Sequence, residues 1–141
     1  MARRDKIVVD TGVLISAFAY GGIPAKAVQR VFKESKIFIS PDILEEYRNV
    51  PILLEKRKKI THQQLKALLQ GIAIFVSKAE LIYPQEKLKL CRDVKDNMIL
   101  ECCLKANADI LITGDKDLLV IEELPFPLSI ITPADFVHGK K

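Results

Sequence analysis

Two apolar runs that each end in an aspartate, one near each end of the chain, limit what this sequence can fold into. Ile110-Leu-Ile-Thr113 is a short apolar β run, closed by Gly114 and followed at once by Asp115 and Asp117. A continuous apolar run bounded by turn residues suits a strand buried on both faces. Asp115 is placed to cap a helix starting near Lys116. Residues 7–15, Ile-Val-Val-Asp10-Thr-Gly-Val-Leu-Ile, follow the same plan of apolar strand, Asp10 and helix. In an open parallel sheet, ligands bind beyond the carboxyl ends of the strands, where the strand order reverses. With these two strands as neighbours there, Asp10 and Asp115 face each other across a crevice. Such a crevice can hold a cation.

The rest of the chain fits that frame. The order reads β-α-α-β-α-α-β-α-β-α-β, with strands at 6–10, 37–39, 109–113 and 128–132 and an ambiguous edge strand at 79–83. Helices are predicted over 13–20, from Pro24 to Glu34, from Ser40-Pro41 until Pro51 interrupts, and from the Thr61-His-Gln-Gln64 capping box to Phe75. A further helix follows Asp93-Val-Lys-Asp96, and Pro133-Ala-Asp-Phe136 gives a last turn. Alternating strands and helices imply an α/β fold with a mainly parallel, helix-covered sheet of four to five strands. No linker or repeat divides residues 1–141, so one domain is expected.

Composition narrows the function. The chain is 49% hydrophobic and 28% charged, as in an ordinary globular protein. No apolar run approaches the roughly 18–20 residues that span a bilayer, and no signal peptide is visible, so the expected location is the cytoplasm, without a membrane partner. Cys91, Cys102 and Cys103 fit no zinc spacing and read as reduced thiols; Cys91, beside Arg92, is the candidate for a more reactive one. His62 sits in the capping box and His138 in the basic tail. Neither nucleotide-binding glycine fingerprint is present.

What remains is the carboxylates. Asp10, Glu46, Asp93, Asp96, Asp115 and Asp117 can converge at one sheet edge, although Asp93 and Asp115 are also explained as helix caps and Glu45 or Glu46 as a solvated face. Clustered carboxylates raise each other's pKa and persist when a cation neutralises them. Oxygen ligands without paired His or Cys point to Mg²⁺ or Mn²⁺ rather than zinc. The net charge is +4, so an acidic pocket leaves a basic remainder, a division suited to metal-assisted hydrolysis on a polyanion. Lys56-Arg57-Lys58-Lys59, with Arg3, Arg4, Lys140 and Lys141, supplies candidate phosphate contacts, or forms a solvated loop.

At these residues the sequence resembles the PIN domain family, in particular the small toxins of VapBC-type toxin–antitoxin systems. The resemblance rests on four pieces in the family's order: Val-Val-Asp10-Thr-Gly-Val-Leu-Ile-Ser-Ala, Ser-Pro-Asp-Ile-Leu-Glu-Glu46-Tyr, Cys-Arg-Asp93-Val-Lys-Asp96-Asn-Met-Ile-Leu, and Ala-Asp-Ile-Leu-Ile-Thr-Gly-Asp115-Lys-Asp117-Leu-Leu. It implies a three-layer α/β/α domain and a Mg²⁺- or Mn²⁺-dependent ribonuclease acting on RNA. Asp10, Glu46, Asp96 and Asp115 would be the metal-binding, catalytic quartet, with Asp93, Asp117 and Thr113 as auxiliary residues. Glu46 is preferred to Glu45 because the family's acid precedes an apolar residue, here Tyr47. Homodimers and an antitoxin partner are implied as well. Gly12 stands where many members carry Asn or Ser, and Asn97 where further acids are common. An RNA-processing nuclease without antitoxin, a non-catalytic binding domain and a receiver-like phosphoacceptor are the alternatives. The receiver lacks a strand-end Lys in the right place.

Overall fold

The computed structural model describes residues 3–139. Five parallel strands lie in the order β3-β2-β1-β4-β5. β1 (Lys6–Val9) is followed by α1 (Thr11–Tyr20) and α2 (Gly22–Glu34), and β2 (Lys36–Ile39) by α3 (Pro41–Lys56) and α4 (His62–Ser77). β3 (Ala79–Leu81) leads through a long loop to α5 (Val94–Ala106); β4 (Ile110–Ile112), α6 (Lys116–Leu119), β5 (Ser129–Ile131) and α7 (Pro133–Val137) complete the chain. The first crossovers step outward from β1, and the connection from β3 returns past β2 and β1 to place β4 on the other side. This reversal makes the gap between β1 and β4 the switch point of the sheet. Right-handed crossovers then send α5 to the opposite face from α2 and α4, and α5 packs on β1 and β2.

Burial explains why these segments are strands. Ile7, Val8 and Val9 of β1 and Ile110, Leu111 and Ile112 of β4 are each at most 2% exposed, because helices cover both faces of the sheet centre. β3, with Glu80 and Leu81 exposed, is an edge strand. In register Val8 lies beside Leu111 and Val9 beside Ile112, and the Asp10 N–H still reaches the Ile112 carbonyl at 2.9 Å. Asp10 is therefore the first residue beyond β1, where the chain turns into α1. Tyr47 of α3 is fully buried, packs edge-on against Phe75 of α4 and donates its hydroxyl to the Val9 carbonyl.

Several boundaries differ from expectation. α3 does not stop at Pro51 but continues to Lys56. Pro51 lies one turn after Tyr47 on the same buried face, and burial of its ring offsets the hydrogen bond that proline cannot donate. α1 begins at Thr11 because Asp10 caps it, and α2 begins at Gly22. Among the described residues, no single helix is long and apolar enough to cross a membrane.

Candidate metal centre

The carboxyl ends of β1 and β4 deliver the first two acids. Asp10 accepts the Thr11 N–H on Oδ1 at 2.8 Å, and Asp115 accepts the Asp117 N–H on Oδ1 at 2.9 Å. Both residues are helix caps, and so is Asp93, which accepts the Lys95 N–H at 2.9 Å. Capping and convergence are thus compatible, since each capping bond occupies one lone pair of a carboxylate that has about four. Thr113, wholly buried, donates its hydroxyl to Asp10 Oδ2 at 2.7 Å and receives the Asp115 N–H at 3.0 Å.

Glu46 arrives from α3. Ser40 caps that helix with a bond from the Ile43 N–H, so α3 starts at the carboxyl edge of the sheet and brings Glu46 over the cleft two turns on. Thr11 donates its hydroxyl to Glu46 Oε1 at 3.1 Å. Asp96 comes from the first turn of α5. A helix joining two parallel strands runs back against them, so its amino end lies at the carboxyl edge.

Asp10, Glu46, Asp93, Asp96 and Asp115 line one cavity of about 230 Å³. On one side of it, carboxylate oxygens of Asp96, Asp115 and Asp117 lie within 4.8 Å of one another. A Mg²⁺ ion holds oxygens at about 2.0–2.1 Å, so ligands on opposite sides of it are about 4 Å apart. The donor set fits a hard divalent cation, and Asp10 and Glu46 line the same cavity.

The electrostatics point the same way. Burial, reinforced by Asp115, Asp93 and Asp10, raises the Asp96 carboxyl to about 7. Burial also raises Asp10, against the Thr113 and Thr11 hydrogen bonds that lower it, with Asp115 pushing it further up. Glu46 is raised by burial and held down by the Thr11 hydroxyl and by Lys95. An added divalent charge relieves all three costs.

Other candidates lie elsewhere. Lys56, Arg57, Lys58 and Lys59 are exposed at the far end of α3 and line no part of the cavity. Ten residues of helix separate Lys56 from Glu46, about 15 Å. Arg3 pairs with Asp109, Arg4 lines a groove with Lys6 and Lys36 at the opposite end of the sheet, and Lys140 and Lys141 lie outside the described residues. Cys102 and Cys103 are buried, with thiols pushed up by burial, Cys102 to about 12. Cys91 is also raised, first by burial and then by Asp96 and Asp115, so its setting is acidic and does not activate it, whatever Arg92 suggests.

Three cavity residues escaped the sequence reading. Thr11 and Lys95 touch or face Glu46 but follow an Asp at helix starts, where local capping hides a long-range contact. Asp42 reads as an ordinary first-turn acid of α3. Asn97 has a different role: its buried amide accepts the Leu90 and Cys91 N–H groups and donates to the Cys91 carbonyl, while Glu101 accepts the Leu88 N–H. These bonds hold the loop between β3 and α5 and so place Asp93. Gly12 faces open cavity space, with nothing within 4 Å of where a Cβ would stand.

Comparisons with known proteins agree on the fold. The family model described as PIN domain matches residues 6–117. An uncharacterized protein of Methanocaldococcus jannaschii, MJ1680, is 31% identical over 142 aligned positions, covering 94% of this chain and 90% of its own length. A chain in the crystal structure of VapBC2 from Rickettsia felis, bound to a DNA fragment from their promoter, superposes with a TM-score of 0.57 at 17% identity. That superposition covers 89% of this chain and 98% of the other.

Proposed function

The chain belongs to the PIN domain family, and on that premise we propose that it is a metal-dependent endoribonuclease, the toxin of a type II toxin–antitoxin pair. The observation that carries the reading is the gathering of acids from β1, α3, α5 and the β4 end around one cavity at the switch point of the sheet. Asp10, Glu46, Asp96 and Asp115 hold Mg²⁺ or Mn²⁺, with Asp93 and Asp117 completing the surrounding charge. The bound cation supplies a low-pKa water near neutral pH and positive charge for the phosphoryl oxygens.

The chain's own groups do the positioning. Thr113 fixes the Asp10 carboxylate, and Thr11 holds Glu46 through Oε1, so both acids would meet the cation already oriented. Lys56, Arg57, Lys58 and Lys59 contact RNA phosphates beyond the cleft.

The toxin role draws on the likeness in fold to a VapBC2 chain, and it includes a homodimer, an antitoxin partner and a cytoplasmic setting. The deciding experiment is incubation of the purified protein with RNA in Mn²⁺ or Mg²⁺, beside EDTA and Asp10→Asn controls. Cleavage by the parent alone, abolished by EDTA, is expected. Absence of cleavage with either ion across varied RNA sequences overturns the reading. A small open reading frame directly upstream supports the antitoxin, and its absence favours a processing nuclease.

A further inference from the structure

One basic side chain stands on the wall of the acid cavity. Lys95, in the first turn of α5 between Asp93 and Asp96, lines that cavity together with Asp10, Asp42, Glu46 and Asp115. It is exposed and takes part in none of the ion pairs among the described residues. A second groove, of about 280 Å³, continues from the cavity along α3. Asp42, Glu46, Val50, Lys95 and Met98 line both spaces, so Lys95 stands where they join. Val50, Leu53 and Met98 give the groove an apolar stretch, and Asn49 adds an amide. Beside Asp42, Glu45 and Glu46, Lys95 is its one basic residue among the described residues.

A lysine serving only to offset the acids would be drawn into a close ion pair, and a bound divalent cation would make it redundant. This ammonium is felt by Glu46 but closes no ion pair among the described residues, and it borders a groove whose apolar residues have no use in metal binding. We propose that the groove along α3 is the subsite for the nucleotide next to the scissile phosphodiester of a single-stranded RNA, with Lys95 holding the phosphate on that side. The inference rests on the ribonuclease reading above. A lysine suits the task because its hydrated point charge attracts a phosphate without demanding one geometry. The apolar stretch takes the face of the base, and the Asn49 amide offers both a donor and an acceptor to its edge.

The test measures binding apart from cleavage. A fluorescent, short, mixed-sequence single-stranded RNA is titrated in Ca²⁺ with the parent, Lys95→Ala and Lys95→Arg, and cleavage kinetics are then run in Mn²⁺. Lys95→Ala is expected to weaken binding and raise KM by roughly tenfold, the scale of one charge-assisted contact. Its log affinity should fall less steeply with log salt by about 0.7, one phosphate on a single strand. Lys95→Arg should recover most of the loss, and Mn²⁺ should still stabilise all three proteins, Lys95→Ala no less than the parent. Asn49→Ala should change which base is preferred beside the cut. If Lys95→Ala binds RNA with the parent's affinity and salt slope, and only kcat or the pH profile moves, Lys95 acts through Glu46 and the subsite is overturned. If the parent itself neither binds nor cuts RNA, the ribonuclease reading falls with it.

Discussion

Thr113 joins the two strand ends at the centre of the site, donating to Asp10 Oδ2 at 2.7 Å across 103 positions of sequence while accepting the Asp115 N–H at 3.0 Å. One buried hydroxyl thus orients an acid from β1 and the turn that carries an acid after β4. It also lowers the Asp10 carboxyl against the rise that burial imposes.

Replacing Thr113 with Val keeps the shape and removes both bonds. The variant should lose about 1–2 kcal/mol of stability, since two buried partners lose a neutral or charged hydrogen bond. Its Asp10 carboxyl should rise further, so Mn²⁺ binding should need higher pH than in the parent. Thermal melts and a Mn²⁺ titration carried upward from pH 4 check both effects; an unchanged pH requirement would show that the hydroxyl does not tune Asp10.

The carboxyl of Asp96 gives a signed pH dependence. Its folded value, about 7, lies above the ordinary carboxylate value near 3.8. Between those two values the folded chain holds a proton that the unfolded chain has lost. Without metal, this group's contribution to stability is therefore full below about pH 4 and falls as pH rises towards 7, by at most about 1.4 kcal/mol per pH unit. Asp96→Asn should flatten that slope and be about 1–2 kcal/mol more stable than the parent at pH 8 in EDTA. Melting curves from pH 5 to 8 decide it, and a variant with the parent's slope refutes it.

Metal should reverse the same penalty. A ligand that binds only the folded chain at a hundredfold excess over Kd stabilises it by about 2.7 kcal/mol. The parent's melting midpoint should rise with Mn²⁺, and Asp10→Asn should start higher in EDTA but respond far less. Equal responses from the two proteins would remove Asp10 from the metal site.

Away from the site, Gly71 tests the packing of α1 on α4. A Cβ there would lie 2.5 Å from the Phe18 ring, closer than any real contact. Alanine favours a helix interior by up to about 1 kcal/mol over glycine, but overpacking costs about 1–3 kcal/mol. Gly71→Ala should therefore lower stability, and Phe18→Leu in the same chain should recover part of the loss. A Gly71→Ala midpoint above the parent's would contradict the packing.

The parts of this architecture that were legible in the sequence are those encoded locally. Ile7-Val-Val-Asp10 and Ile110-Leu-Ile112 read as strands because burial on both faces demands unbroken apolar runs, and the Ser40-Pro41 and Thr61–Gln64 caps mark where α3 and α4 begin. Only the family resemblance preferred Glu46 to Glu45, and Glu46 lines the acid cavity while Glu45 lines the groove beside it. Pro51 misled because its penalty is local while the burial that offsets it is tertiary. Thr11, Lys95 and the loop-holding role of Asn97 were not legible for the same reason. Each sits in an ordinary helix start, and its partner comes from another segment or from the loop before α5.

The bond from the Tyr47 hydroxyl to the Val9 carbonyl has a dynamic consequence. Glu46 and Asp10 are the chain neighbours of those two buried residues, so the separation of the two acids is set in the core. The amides around them should exchange with solvent only when the whole fold opens. Asp93 instead follows a loop held by a few side-chain bonds, which can open on their own at much lower cost. Asp10 and Glu46 are thus tied to the core, so adjustment to a ligand would fall to the side where the loop meets α5.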